Sequence, residues 1–568
     1  MPRENPSVTT RRHELDALRA FAMLVGIVFH ATLPMATTGW YVSDWNRAEL
    51  LVVFTLWVHG FRMPLFLFVS GYFTQMMWRR KGLGATLRQR VLRILLPLVL
   101  GTFTLLPLQD RIVSWARARA AADDAAHAGT RRRPTPLVDA VRSNDLASVT
   151  RLLDAGIDPH QADAELEIPA LAWAANRGDV ESVRRLLDAG AGVNHPSPGG
   201  HRPLHGATYF AHPEVVELLL ERGADPNLRN DAGEAALQAG AKGIEEVRTV
   251  AGWIGLPWTM SPEAFGSARK SCRERLLRHG ATETPPRRSP PEALRASYHA
   301  WLASDRFLMP GHPPFLRPPE GDGWHLFGSP VFDHLWFLAF LCWLVAFHGI
   351  VAGVCGRIGS ATGSGGAWRS PRTFLAFLAL PLLPQWFMTG GPGPDTAVGL
   401  LPPPHLLLYY GVFYAAGAYS HDTPGPVEGL RRLWPWLLPA STLLLLPIGV
   451  GLQGLSPAAA GPFQVAYAWG MILGFLGLFS RWLSTERPVV RYLSDAAYWM
   501  YLAHHPLVVL IHAFVRPTGL PPLVKLAVLC LVLTAALLAS YHFLVRPTWL
   551  GWLLNGRRVP LRSSTAAA

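Results

Sequence analysis

At 568 residues, half of them hydrophobic, with 21 tryptophans and a positive mean hydropathy, this chain is not an ordinary soluble enzyme. Its formal charge of +13 would suit a nucleic-acid binder, but the basic residues cluster beside apolar stretches. That is how a membrane protein is oriented in the lipid bilayer, so no nucleic-acid partner is expected. The cysteines, Cys272, Cys342, Cys355 and Cys530, lie far apart without metal spacing or a disulfide framework, and no metal is expected.

Ten spans are expected, at roughly 17–38, 50–73, 92–108, 332–353, 373–389, 404–419, 434–452, 463–483, 492–513 and 522–545. The first reads LDALRAFAMLVGIVFH from Leu15, with Arg19 and His30 set in an apolar run. On one helix they stand about 16 Å apart along the axis, which puts Arg19 near one membrane face and His30 within the bilayer. An ionisable group there costs about 2.5–3.5 kcal/mol or more. Either His30 is hydrogen-bonded inside a bundle, or it does chemistry. A cleavable leader is not expected, since this first apolar run carries both residues and a second span follows it.

The second span reads LWVHGFRMPLFLFVSGYF. His59 and Arg62 share one helix face, and Arg62 needs a partner, water or an anionic ligand. Ser70, Gly71 and Tyr72 allow a close backbone approach near the end of that span. Arg79, Arg80, Lys81, Arg88, Arg90 and Arg93 follow. Placing this loop in the cytoplasm also puts both termini and Arg357, Arg369, Arg431, Arg432, Arg481, Arg487 and Arg491 there. Arg90 and Arg93, three apart at the entry to span three, would present one guanidinium face suited to phosphates.

Residues 135–283 are different in kind. Pro136, Pro169, Pro203 and Ala236 open successive units 33, 34 and 33 residues apart, closed by LLDAGIDP, LLDAGAGVN, LLLERGADPN and LLRHGA. The last phrase is displaced by an insertion at about Val250–Ser271. The period and wording resemble ankyrin repeats, a turn and two antiparallel helices per unit, with Gly156, Gly190, Gly223 and Gly280 at the helix ends. The charge bias puts this block outside the cytoplasm; a re-entrant third span would reverse that. Pro-rich stretches within 284–325 form a linker back to the membrane.

Span four opens with Asp333 and His334, and span nine carries His504 and His505 ahead of Pro506, with His512 further on. His405 begins span six. Singly, each is best read as a satisfied core histidine; the collection is harder to dismiss.

The ordered set LDALRAFAMLVGIVFH, FRMPLFLFVSGYF, RQRVLRILLP, DHLWFLAFL and YLSDAAYWMYLAHHPLVVL resembles the acyltransferase-3 family of integral membrane acyltransferases, in particular its glucan-acylating branch. The likeness covers about 1–110 and 325–550. It implies an all-α polytopic membrane protein of about ten transmembrane helices, here with an inserted α-solenoid of ankyrin repeats. The domains would be 1–110 and 326–550 in the membrane, 135–283 as repeats, 284–325 as linker and 551–568 as a basic cytoplasmic tail. The implied reaction moves a succinyl or acetyl group from cytoplasmic acyl-CoA to a hydroxyl of an extracytoplasmic glycan, in the bacterial inner membrane. The family's arginine–histidine pair falls on Arg19 and His30, its donor-binding arginines on Arg90 and Arg93, and its serine–glycine–aromatic element on Ser70, Gly71 and Tyr72. His334, His504 and His59 are further candidates.

In the expected chemistry His30 is the general base, Asp16 or Arg19 fixes its helix, and Arg62 neutralises the oxyanion or a succinyl carboxylate. The repeats would take a protein partner. The competing expectation is a non-enzymatic receptor or glycan/lipid transporter with a sensing repeat domain; no paired halves are visible in the spans to support it.

Overall fold

The computed structural model describes residues 12–37, 40–46, 48–127, 135–163, 166–231, 233–282, 290–310, 323–327, 329, 331–362, 371–388, 393–397, 399–453 and 457–559. They fall into two units, one drawn from Met1–Ala125 and Glu292–Ala568, the other from Ala126–Pro291. Both are built of helices. The first adds one short antiparallel ribbon, Leu308–Pro310 against Gly323–His325.

The first unit is a multi-pass membrane bundle. Among the described residues eight helices are long and apolar enough to cross a bilayer. The elements used below are α1 (His13–Ala36), α2 (Glu49–Lys81), α3 (Leu83–Asp124), α4 (Trp336–Thr362), α5 (Pro404–Asp422), α6 (Trp434–Gln453), α7 (Pro457–Trp482), α8 (Pro488–Val515) and α9 (Pro522–Val545). All except α5 belong to those eight.

The bundle is apolar on its outer surface as well as in its core, with polar groups buried among the helices. Leu443 on α6, Ile350 on α4 and Leu531 on α9 are turned outward and largely exposed, as lipid contact requires, while Thr32, Gln109, His334, His504 and Lys525 are buried. Two expected spans take other forms. Residues 373–389 make two short helices, Pro371–Ala379 and Leu382–Gln385, parted at Pro381. Residues 404–419 form α5, whose tyrosines, histidines and Asp422 lower its hydropathy but whose inner face is buried.

That burial depends on a pair of glycines. A Cβ added at Gly71 of α2 would lie 1.9 Å from the carbonyl oxygen of Tyr414, and one at Gly417 of α5 would lie 1.9 Å from that of Phe68. The two backbones touch, the close approach that small residues permit between membrane helices. Replacing Gly417 by alanine is expected to cost about 1–3 kcal/mol through overpacking against a backbone that cannot step aside. It should appear as a lower melting temperature in detergent.

Prolines shape the long helices without ending them. Three π-turns, Val91–Leu95, Ser441–Leu445 and Tyr541–Val545, each stop two residues before a proline: Pro97, Pro447 and Pro547. Proline has no N–H, so the carbonyl four residues earlier loses its helical donor. One of these freed carbonyls, and another freed by Pro506 inside α8, have been taken by side chains of other segments. Tyr498 donates its hydroxyl to the carbonyl of Arg93 at 2.6 Å, and His334 Nε2 lies 3.2 Å from that of Leu502, freed by Pro506. The third expected span is therefore one continuous helix from Leu83 to Asp124, well past residue 108.

The expected linker also contains structure. The helix Pro290–Leu302 docks on the membrane unit, with Arg295 donating to the Met388 carbonyl and the Tyr298 hydroxyl 2.8 Å from His405 Nδ1.

In the second unit, first helices begin at Pro136, Ala170, Pro203 and Ala236, and outer helices run over Leu146–Asp154, Val180–Asp188, Pro213–Glu221 and Pro262–Arg278. Asp145 and Asp179 cap two of the outer helices by accepting from the Ser148 and Ser182 N–H groups. Each outer helix is followed by a glycine with φ between 81° and 94°, at Gly156, Gly190, Gly223 and Gly280. The expected insertion at Val250–Ser271 carries helical structure. It forms the end of the helix Ile244–Trp253, a loop, and the front of the 17-residue last helix. Trp258 Nε1 donates to the Phe210 carbonyl at 3.1 Å and holds the loop against the third repeat.

Candidate active site

Histidines from three distant segments meet beside α1. His504 Nε2 of α8 lies 2.8 Å from His30 Nδ1 of α1, and His504 Nδ1 lies 2.6 Å from the Tyr501 carbonyl oxygen. The His334 and His505 rings stack at 4.8 Å with an interplanar angle of 2°, and the His30 ring stands 5.4 Å from that of His505. His334 comes from the turn before α4, where Asp333 is held at φ 45°, a left-handed conformation that asparagine and aspartate tolerate best after glycine. Asp333 is anchored there by the Tyr41 hydroxyl at 2.6 Å and by the Gln109 amide, and Gln109 Oε1 lies 3.0 Å from His505 Nδ1.

Arg62 of α2 completes the group. Its guanidinium sits 4.7 Å over the Phe29 ring and lies across Gly26, where an added Cβ would come within 2.7 Å of Nη1. Its Nε is shielded and has no hydrogen-bond partner among the described residues. His30, Arg62, His334, Tyr501 and His504 line a narrow cavity of about 30 Å³, room for about one water. His59 does not line this cavity. It stacks with Phe29 at 6.0 Å and lies against Gly393. A neutral imidazole with one free nitrogen beside a guanidinium can take a proton from a hydroxyl and steady the anion that follows.

A second, much larger cavity of about 780 Å³ opens at the His13 end of α1. Five arginines line it, Arg12, Arg19, Arg80, Arg93 and Arg557, against two carboxylates, Asp16 and Asp495. The excess of positive charge suits an anionic ligand. Arg19 lies 3.6 Å from Asp16 and donates to Ser494 Oγ of α8 at 2.8 Å. The same two helices are thus tied twice, Arg19 to Ser494 and His30 to His504, with about 15 Å of helical rise between the ties.

The arginine pair divides. Arg93 lines the large cavity, whereas Arg90 turns into the bundle and donates to Thr74 Oγ1 at 2.8 Å. The expectation of one shared guanidinium face is corrected by the π-turn that starts between them at Val91 and alters their angular spacing. Ser70, Gly71 and Tyr72 also divide. The Ser70 carbonyl accepts from Thr74 at 2.8 Å, Gly71 meets α5, and Tyr72 lines the large cavity.

Several residues of the site were not marked by the sequence reading. Gln109 and Tyr41 carry the outer ring of hydrogen bonds. The signal available was a glutamine, fully buried here, two residues after Pro107 in an apolar run. Asp44 and Lys525, both buried, pair at 2.9 Å and pin the loop between α1 and α2 to α9, with His512 Nε2 3.2 Å from Asp44. A lone lysine four residues into the last span was the available sign. Burial pushes the Asp44 carboxyl up, but hydrogen bonds from His512, the Asn46 N–H and Lys525 outweigh it and hold it below the usual carboxylate range.

A family model described as an acyltransferase domain, the acyltransferase-3 model, matches residues 12–123 and 292–543, well over half of the chain. The chain belongs to this family of acyltransferases. The match is interrupted by a second one, three copies of ankyrin repeats over residues 134–230. Among curated relatives, glucans biosynthesis protein C of Escherichia coli strain K12 is 36% identical over 95 residues, which is 17% of this chain and 25% of the relative. The protein of the same name from Shigella dysenteriae serotype 1 matches to the same extent. The aligned stretch thus spans a quarter of these relatives' length.

Within the family match lie every membrane-site residue named above except Arg557, which follows it. The ankyrin match stops at residue 230, ahead of the displaced last repeat whose outer helix is Pro262–Arg278.

Proposed function

We propose that the protein is an O-acyltransferase that takes an acyl group from acyl-CoA on one side of the membrane and delivers it to a glycan hydroxyl reached from the other. The observation that carries this reading is that one helix lines both cavities. Asp16 and Arg19 of α1 face the large basic one, and Ala22 to His30 face the narrow one beside the histidines. A donor whose diphosphate rests among Arg19, Arg93 and Arg557 would send its pantetheine arm along α1 toward His30. Membership of the acyltransferase family supports the reaction class, and the glucans biosynthesis proteins make a glucan the first acceptor to try.

In this reading His30 Nε2 takes the proton of the acceptor hydroxyl as its oxygen attacks the thioester carbonyl. The carbonyl pair moves to oxygen, where Arg62 stabilises the negative charge. Collapse re-forms the carbonyl, breaks the carbon–sulfur bond, and the thiolate leaves with the proton returned from His30. The acyl group is succinyl or acetyl; for succinyl, Arg62 is also the nearest cation to the free carboxylate. The loop carrying Arg79, Arg80 and Lys81 lies in the cytoplasm of a bacterial inner membrane with both termini, and the ankyrin block is periplasmic, where it takes a protein partner.

The test is to incubate the purified protein in nanodiscs with acyl-CoA and a glucan oligosaccharide, and to follow ester formation by mass spectrometry. Transfer is expected with acyl-CoA present; free CoA release without esterified glucan would remove the glycan, and no consumption of acyl-CoA would remove the donor. Within this assay, replacing Arg19 and Arg93 together by methionine should raise KM for acyl-CoA by roughly 10²–10⁴-fold and leave KM for the acceptor unchanged, at about 1.5–3 kcal/mol for the charged hydrogen bond lost at each. An unchanged donor KM would place the donor elsewhere.

A further inference from the structure

We infer that His504 is the positioning residue that fixes the tautomer of His30, so that His30 holds its proton on Nδ1 and turns a bare Nε2 to the cavity. The consequence for rate rests on the proposed role of His30; the tautomer itself does not.

A backbone carbonyl oxygen only accepts. The 2.6 Å contact between His504 Nδ1 and the Tyr501 carbonyl therefore places a proton on Nδ1. In the neutral ring the other nitrogen, Nε2, then carries a lone pair and no hydrogen. It lies 2.8 Å from His30 Nδ1, so the hydrogen of that bond belongs to His30. His30 Nε2 is left with its lone pair, on a ring that lines the narrow cavity with Arg62.

The relay is rigid because its base is gripped twice by residue 334. Tyr501 donates its hydroxyl to the His334 carbonyl at 2.8 Å, and His334 Nε2 lies 3.2 Å from the Leu502 carbonyl, which Pro506 has freed. His504 is 2 % exposed, and its Nε2 faces His30 Nδ1 at 2.8 Å. A ring nitrogen's protonation is set by the hydrogen bond its partner nitrogen makes, and here that logic is applied twice in series.

The test uses protein labelled with ¹⁵N-histidine in nanodiscs, the His30 signals being assigned by their loss in His30→Gln. In the wild type, His30 Nδ1 should show one-bond coupling to hydrogen and Nε2 should show none. In His504→Gln the amide oxygen accepts in place of Nε2 and should preserve that pattern. In His504→Leu the Nε2–H tautomer should appear, with kcat down roughly 10²-fold and KM for acyl-CoA unchanged; His504→Gln should recover most of that rate. A wild-type His30 carrying its hydrogen on Nε2, or a His504→Leu protein that keeps the Nδ1–H form, overturns the inference. The wild-type spectrum decides even where the leucine variant fails to fold. If the tautomer is found as stated but a His30 variant still transfers, the general-base reading falls and the relay stands.

Discussion

Replacing His30 by asparagine is expected to lower kcat for glycan acylation by about 10²–10⁴-fold while the protein stays folded. Asparagine separates the two jobs of the imidazole. Its amide nitrogen falls near the position of Nδ1 and still donates to His504 Nε2, as the imidazole does. Nothing then stands where Nε2 faced the cavity. The measurement is turnover of acyl-CoA with a glucan acceptor, paired with the melting temperature in detergent. A normal melting temperature with turnover lost is the expected pair of results. Turnover kept would take His30 out of the reaction, and a large drop in melting temperature would make its role structural.

The second large effect is on stability. Lys525→Met should cost about 3–5 kcal/mol, because it leaves a carboxylate buried without its cation. Lys525 is fully buried and spends its three donors on Asp44 Oδ1 at 2.9 Å, Asp44 Oδ2 at 3.0 Å and the Arg516 carbonyl at 2.9 Å. Among the described residues Asp44 keeps His512 and the Asn46 N–H. Adding Asp44→Asn to Lys525→Met should recover much of the loss, since the orphaned charge goes with it. The pH dependence has a definite sign. The folded Asp44 carboxyl is lowered, so its contribution is full above the ordinary carboxylate pKa and is lost as pH falls through the folded value. Thermal scans across the acid range should show this loss in the wild type and not in the double variant.

Much of the fold was legible because it rests on local rules. Continuous apolar runs gave α1, α2, α8 and α9, and a period of 33 or 34 residues gave the repeats. The helix α5 was anticipated from its apolar middle, but its role was not. Its Tyr414 backbone meets Gly71 and its Gly417 meets Phe68 across the bundle, contacts that no pattern within either segment announces. The break at Pro381 was written in the sequence, yet proline breaks some membrane helices and only loosens others, as Pro97 does to α3.

The site was legible in its residue types and not in its grouping. His30, His334, His504 and His505 stood out as costly groups in apolar runs. Their convergence depends on separations such as the 474 residues between His30 and His504, about which spacing says nothing. Arg90 and Arg93 show the opposite failure. Spacing spoke clearly for a shared face, and a π-turn between them sent one to the cavity and the other to Thr74. The Asp44–Lys525 pair escaped notice because each partner, alone, looks like an ordinary charge near a span end.

The prolines at 97 and 506 carry a lesson for anyone who sets out to make this protein sturdier. Substituting alanine would straighten each helix and return a donor to the stranded carbonyl, an improvement by any rule of helix design. It would also evict the Tyr498 hydroxyl or the His334 ring from its mooring. In this protein the flaw in one helix is the address to which another segment is delivered, so repairing the part would unfasten the whole.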